Sequence, residues 1–302
     1  MVSYIFILIA VLCFALQFVF TKIYEDTVGK SINISLIMLV ITSMVGTAIF
    51  FIAGGFKVEF SQISLIWGIA LAVIMIPYYI IGIKVISLGS LAVYSMFMML
   101  GGMLVPFFYG ILFLNEKISI GKLSGTVLIA LFIIFQAFGQ SDKSVEKEDK
   151  KTKIIFFALC LVVFFINGMT GVIAKAHSIS KGAVSETDFT VIYCFLTASL
   201  SIIFLIFNCI KNSKKKLSEI RKVFNIKPVL TLTILGGAAY GGNFFLLLAA
   251  NKVPASVQFP LVSGGVIVLS ALFSAFLFKE NLSKKEWLSV LGAFLSTFLF
   301  AF

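Results

Sequence analysis

The stretch FLNEKIS, Phe113–Ser119, ends a long apolar run on a glutamate, and FKENLS, Phe278–Ser283, ends another in the same way. Glu280 follows Glu116 by 164 residues. In each case a serine stands three residues past the glutamate, where its oxygen can cap the open N–H groups of a following helix. The same helix–turn–helix hairpin is therefore written twice, and the chain around it sorts into matching parts.

Of 302 residues, 60% are hydrophobic and 12% are charged, with 34 phenylalanines and one histidine. Soluble domains carry about 25% charged residues. No water-soluble fold has interior enough for so much apolar surface, so the solvent is lipid. Ten stretches lack Asp, Glu, Lys and Arg: 1–21, 31–56, 60–83, 85–115, 123–141, 154–174, 189–210, 228–251, 253–278 and 287–302. About 20 apolar residues of helix cross a bilayer core. Barrel strands need only about ten residues with polar residues alternating inward. The expectation is an all-α integral membrane protein with ten transmembrane helices. Trp287 and Lys284/Lys285 anchor the short last one, which starts near Ser283. Residues 1–21 carry no basic n-region, so a signal peptide is not expected.

The formal charge is +11. In a soluble protein that excess would suggest nucleic acid, but here the lysines crowd into short loops, where they meet anionic headgroups. No nucleic-acid partner is expected. The loops after odd-numbered spans carry 18 Lys/Arg and those after even-numbered spans carry 6. The positive-inside rule then puts both termini outside the cytoplasm. Cys13, Cys160, Cys194 and Cys209 lie in apolar spans with no C-x-x-C spacing and read as small buried hydrophobes. Neither a metal cluster, a nucleotide-binding loop nor a catalytic triad is present, so neither an enzyme nor a bound cofactor or metal is expected.

QSDKSVEKEDKKTK, 140–153, has no apolar content to fold with and reads as a solvated linker. It separates a first five-helix repeat, 1–139, from a second, 154–302. An offset of 164 aligns Val93 with Val257, Gly101 with Gly265, Glu116 with Glu280 and Ser119 with Ser283. Nearer the start the offset is 153 and puts Lys22 on Lys175, each ending the first helix of its half. Five spans is an odd number. A second copy enters the membrane from the opposite side, and the halves are inverted repeats, an architecture that alternating-access transporters use.

Ten spans in two halves, a lysine ending the first helix of each half, and LNEKIS or KENLS before the fifth helix resemble the drug/metabolite transporter superfamily, in its ten-helix EamA-type branch. In that branch a Gly-Glu pair closes the fourth helix and a glycine follows about nine residues on. Here the pairs are Asn115–Glu116 and Lys279–Glu280, with Gly125 at the later position in the first half and Ser289, near Gly292, in the second. The resemblance implies a central cavity lined by spans one, three, four, six, eight and nine. It also implies both termini inside, against the charge bias.

Polar residues inside spans are the candidate cavity lining: Gln17, Tyr78, Tyr79, Tyr94, Asn167, Thr170, Tyr193, Tyr240, Asn243 and Gln258. The repeat pairs Tyr79 with Asn243, Tyr94 with Gln258 and Gln17 with Thr170. Each alone reads as an interhelical hydrogen bond; together they read as a pocket. Lys22, Lys175, Glu116 and Glu280 are helix-end charges, either interfacial and capping or at a cavity mouth. Pro106 and Pro260 bend spans four and nine. Gly102, Pro106 and Gly110 share one face of span four, and Ser270 and Ser274 share the matching face of span nine, as packing or hinge residues. His177, at a span end, reads as an interfacial bystander.

A neutral pocket of Tyr, Asn and Gln suits small amphipathic or zwitterionic solutes such as amino acids. The expectation is a secondary transporter of the plasma membrane, monomer or homodimer, working by alternating access, with export implied by the resemblance. Uptake or exchange, or a non-transporting membrane protein such as a flippase accessory or assembly partner, stays open. No carboxylate lies near the centre of a span to couple a proton.

Overall fold

The computed structural model describes residues 2–115, 119–138, 147–210, 220–250, 252–253 and 255–299. Among them the chain forms ten helices: α1 (Val2–Val28), α2 (Ile32–Ala53), α3 (Gln62–Ile86), α4 (Leu91–Leu114), α5 (Ile120–Phe138), α6 (Lys147–Ser178), α7 (Glu186–Ile210), α8 (Ile226–Ala250), α9 (Ala255–Leu277) and α10 (Lys284–Leu299). Backbone polar groups have no water to bond to in a bilayer core, and a helix satisfies them within its own segment. Eight are long and apolar enough to cross a membrane, all but α5 and α10. The chain is therefore a multi-pass helical membrane protein. Of the remaining two, α10 covers 16 described residues and begins with Lys284, Lys285 and Glu286, and α5 is an apolar helix of 19 residues. The linker also differs from expectation. From Lys147 onward its charged residues belong to α6.

Serines start the helices, as the hairpin motif suggested. Ser31, Ser61, Ser119 and Ser185 each accept a hydrogen bond from the backbone N–H three residues on, at 3.1–3.3 Å. At α10 the cap is reciprocal: Ser283 Oγ accepts from Glu286 N, and Glu286 Oε2 accepts from Ser283 N at 2.7 Å. The residues that end α4 and α9 share an unusual backbone. Asn115 and Lys279 both have φ of 52°, the left-handed region in which an L side chain is disfavoured and glycine is not. These are the two positions at which the resembled family carries its glycine.

Two compact units divide the chain. One is built from Met1–Val19, Leu88–Gly171 and Phe245–Phe302, the other from Phe20–Ser87 and Val172–Phe244. Each draws on both halves of the sequence. In the first unit α4 packs on α9 and α5 on α10; in the second, α2 packs on α7. These are fourth with fourth, fifth with fifth and second with second helix. α3 also packs on α7.

In the first unit the backbones approach closely. A Cβ on Gly101 of α4 would overlap the Phe164 carbonyl of α6, and one on Gly168 would overlap the Val105 side chain. Contact through small residues is how helices associate in lipid, where apolar burial gives no drive. Gly102 lies against the Asn167 amide and Pro106 against Gly171, so the small-residue face of span four meets α6. In the second unit a core of Tyr24, Ile34, Ile37, Met38, Ile83, Leu232 and Leu235 joins α1, α2, α3 and α8.

Candidate functional site

The second unit gathers polar groups from four helices, α2, α3, α7 and α8. Tyr79 of α3 lies near Thr42 of α2. The Cys194 thiol of α7 lies near the side chains of Tyr193, beside it in sequence, and Tyr240 of α8. Tyr240 and Cys194 are buried; Tyr79 and Tyr193 are half-buried. The Tyr240 ring lies over Gly46 of α2, where any Cβ would come as close as 2.7 Å to it. Gly46 therefore fixes how deep the ring can sit. Pro77 precedes Tyr78 and Tyr79 inside α3, and its missing N–H and ring interrupt the backbone ladder one turn back along that helix. Tyr78 is buried, with its ring edge-on to Tyr79 at 5.5 Å.

The cluster is uncharged. Three phenols, a thiol and an alcohol can each give or take a hydrogen bond, and they do so without a net charge to desolvate. Such an array can hold the polar end of a small solute in a low-dielectric site. Asn243, on the same α8, is exposed, and its amide donates to Ala239 O at 2.9 Å. On that helix Gly237 and Gly241 have open space where a Cβ would stand.

The other five candidates fall in the first unit. Tyr94 is buried and meets Phe18 edge-on at 5.8 Å. Gln258 is buried, and its amide donates to Leu246 O at 2.7 Å. Asn167 donates to Met98 O at 2.8 Å and thereby ties α6 to α4; Thr170 donates to Asn167 O at 2.6 Å. Gln17 is half-buried on α1. The members of each repeat pair lie in the same unit: Tyr79 with Asn243 in one, Tyr94 with Gln258 and Gln17 with Thr170 in the other.

The helix-end charges are placed as follows. Lys22 and Lys175 are half-buried on α1 and α6. Lys22 lies near Glu25 and Asp26 of its own helix. Glu116 lies outside the described residues. Glu280 differs from expectation. It does not cap the helix that follows it, a task Ser283 and Glu286 perform. Its carboxylate accepts from Leu91 N, the first N–H of α4, at 3.1 Å, and from the Ser274 hydroxyl. A carboxylate at a helix N-terminus also meets the positive end of the helix dipole. Ser90, at the N-cap position, makes no side-chain cap bond and its hydroxyl is buried without a described partner. Ser270 bonds Ser95 across the α4–α9 contact. Pro260 is buried in α9, and Gly110 in α4.

His177 is not the interfacial bystander the sequence suggested. It is 1% exposed. Its ring stacks on Phe189 with centroids 3.7 Å apart, and its Nε2 lies 2.9 Å from Ser64 Oγ. Ser64 Oγ already accepts from Val184 N at 3.1 Å, so its own proton is free for Nε2. The set clasps the α6–α7 turn onto the start of α3. Sequence reasoning missed it because its members are 113 and 120 residues apart. Cys194 and Thr42 were missed for a different reason: an alcohol or thiol in an apolar span carries no signal until its neighbours are known. Among the described residues no group of three or more His, Cys, Asp or Glu stands in a metal-holding arrangement.

No protein-family model matches the chain. No curated protein matches it either. By structure, 28 chains of known structure match. One, described only as "Crystal structure of protein", superposes with a TM-score of 0.55 over 98% of this chain and 95% of its own, at 12% sequence identity. The likeness is one of fold.

Proposed function

We propose that the chain is a secondary membrane carrier that moves a small, amphipathic or zwitterionic organic solute, of the amino-acid kind, by alternating access. The observation that carries this reading is the uncharged cluster of Tyr79, Tyr193, Tyr240, Cys194 and Thr42. It lies on membrane-crossing helices drawn from both halves of the sequence. Polar groups within a span are expensive and mark solute paths by default. Matching helices of the two halves pack on each other in both units, which supports an arrangement able to exist in two exchanged forms. The resemblance to the EamA-type branch of the drug/metabolite transporters supports the same class, with the plasma membrane as its site and export as its direction.

The test is flux of labelled amino acids and nucleosides into liposomes holding the purified protein, with and without a pH gradient. Tyr193→Phe and Tyr240→Phe remove one hydroxyl each and keep the ring. Each is expected to lower flux at least tenfold, and the Tyr94 and Asn243 variants to lower it less. Absence of flux for every solute class would favour the non-transporting alternative, an assembly partner or flippase accessory.

A further inference from the structure

From the described side chains of the second unit, and resting on the carrier reading, we infer that the α2–α7 crossing is a gate shown closed. Ser43, Thr197 and Ser201 are the polar wall of the path it opens. The two helices run antiparallel. Asn208, near the end of α7, donates to Asn33, near the start of α2, at 2.6 Å. Further along, Leu36 and Leu39 of α2 share one apolar cluster with Ile76 of α3, and Leu200 and Leu205 of α7 pack against that cluster. One turn beyond Leu39 stands Ser43. Ser201 and Thr197 stand one turn apart on the facing stripe of α7.

All three residues are at most 1% exposed, and none of their hydroxyl oxygens has a hydrogen-bond partner among the described residues. Each has under 1 Å² of accessible surface, so no water molecule fits beside it. Serines and threonines within helices ordinarily bond the carbonyl a turn back, as Thr42 does to Met38 O at 2.8 Å and Thr47 to Ser43 O at 3.0 Å. Ser43, Thr197 and Ser201 do not. A buried hydroxyl with no partner carries its full desolvation cost, and that cost is recovered when water reaches it. The closed crossing is therefore penalised at three points that an opened, wetted crossing relieves. Thr197 is three residues from Cys194, and Ser43 is next to Thr42, so the wall leads to the tyrosine–thiol cluster.

The sign of a stability change tests this. Ser43→Ala, Thr197→Val and Ser201→Ala remove a hydroxyl with little change of shape. Each is expected to raise the melting temperature of the purified protein by a few degrees, and the triple variant is expected to slow flux several-fold. An unchanged or lowered melting temperature overturns the inference, because it means the hydroxyls have partners. The second measurement needs no solute. In a background with Cys13, Cys160, Cys194 and Cys209 replaced, Ser43→Cys and Thr197→Cys are exposed in membranes to a charged, water-soluble thiol reagent. Labelling at both positions is the expected result, and protection at both overturns the gate. Labelling and raised melting temperatures without flux of any solute would instead sink the carrier reading and leave an opening crossing in place.

Discussion

Two crossings of matching helices use the same kind of residue to opposite effect. At α4–α9 the hydroxyls of Ser95 and Ser270 meet each other, and the carbonyls of Ala92 and Ile267 lie within reach of their protons. At α2–α7 the hydroxyls of Ser43, Thr197 and Ser201 have no hydrogen-bond partner among the described residues. The first crossing also stands beside a glycine contact in which α4 and α6 touch backbone to backbone. One neighbourhood is tight and satisfied. The other is tight and under-satisfied. Hydroxyl content alone does not distinguish a fixed seam from one built to part; the partner of each oxygen does.

The largest expected effect lies in the satisfied region. Gly101→Ala puts a methyl into the Phe164 carbonyl, backbone that cannot swing away. A loss of about 3 kcal/mol is expected, read as a fall in melting temperature or in the yield of folded protein. A tolerated alanine would show that α4 and α6 are less closely held than described. Next comes Glu280→Ala, which strips the cap from α4 and leaves Leu91 N and the Ser274 hydroxyl without it. About 1–2 kcal/mol should be lost, and hydrogen exchange should quicken at the first turn of α4 while α3 is unaffected. Ser95→Ala then sharpens the contrast directly: it should cost about 1 kcal/mol, opposite in sign to Ser43→Ala. Two substitutions of the same type shifting melting in the same direction would erase the distinction between the crossings. The smallest effect is a gain. Lys279→Gly relieves a left-handed backbone and should stabilise by about 0.5 kcal/mol after the added freedom of the unfolded chain is subtracted.

The membrane class, the charge-free runs and the serine starts of the helices were legible in sequence because each is local. A helix announces itself by twenty uncharged residues, and its cap by one serine. The twin φ of 52° at Asn115 and Lys279 was not legible, since neither residue type demands a left-handed backbone. What stayed hidden was partnership across distance. Glu280 read as a cap for its own neighbour, yet its carboxylate accepts from Ser274 and from the first N–H of a helix 189 residues earlier. His177 read as a bystander and is a buried clasp. The candidate tyrosines were visible as polar residues in apolar runs. Their shared thiol was not, because nothing in the residue order says that Tyr240 comes near Cys194, the neighbour of Tyr193.

The Leu91–Glu280 cap has a consequence for biogenesis. The first turn of α4 leaves the ribosome long before the carboxylate that completes it exists, and Asn33 likewise waits for Asn208, 175 residues later. The early helices thus enter the bilayer with unmet polar groups, in need of an insertase or lipid headgroups as temporary company. A gene truncated near the middle should yield fragments that are degraded when made alone and that reassemble when both are translated in one cell.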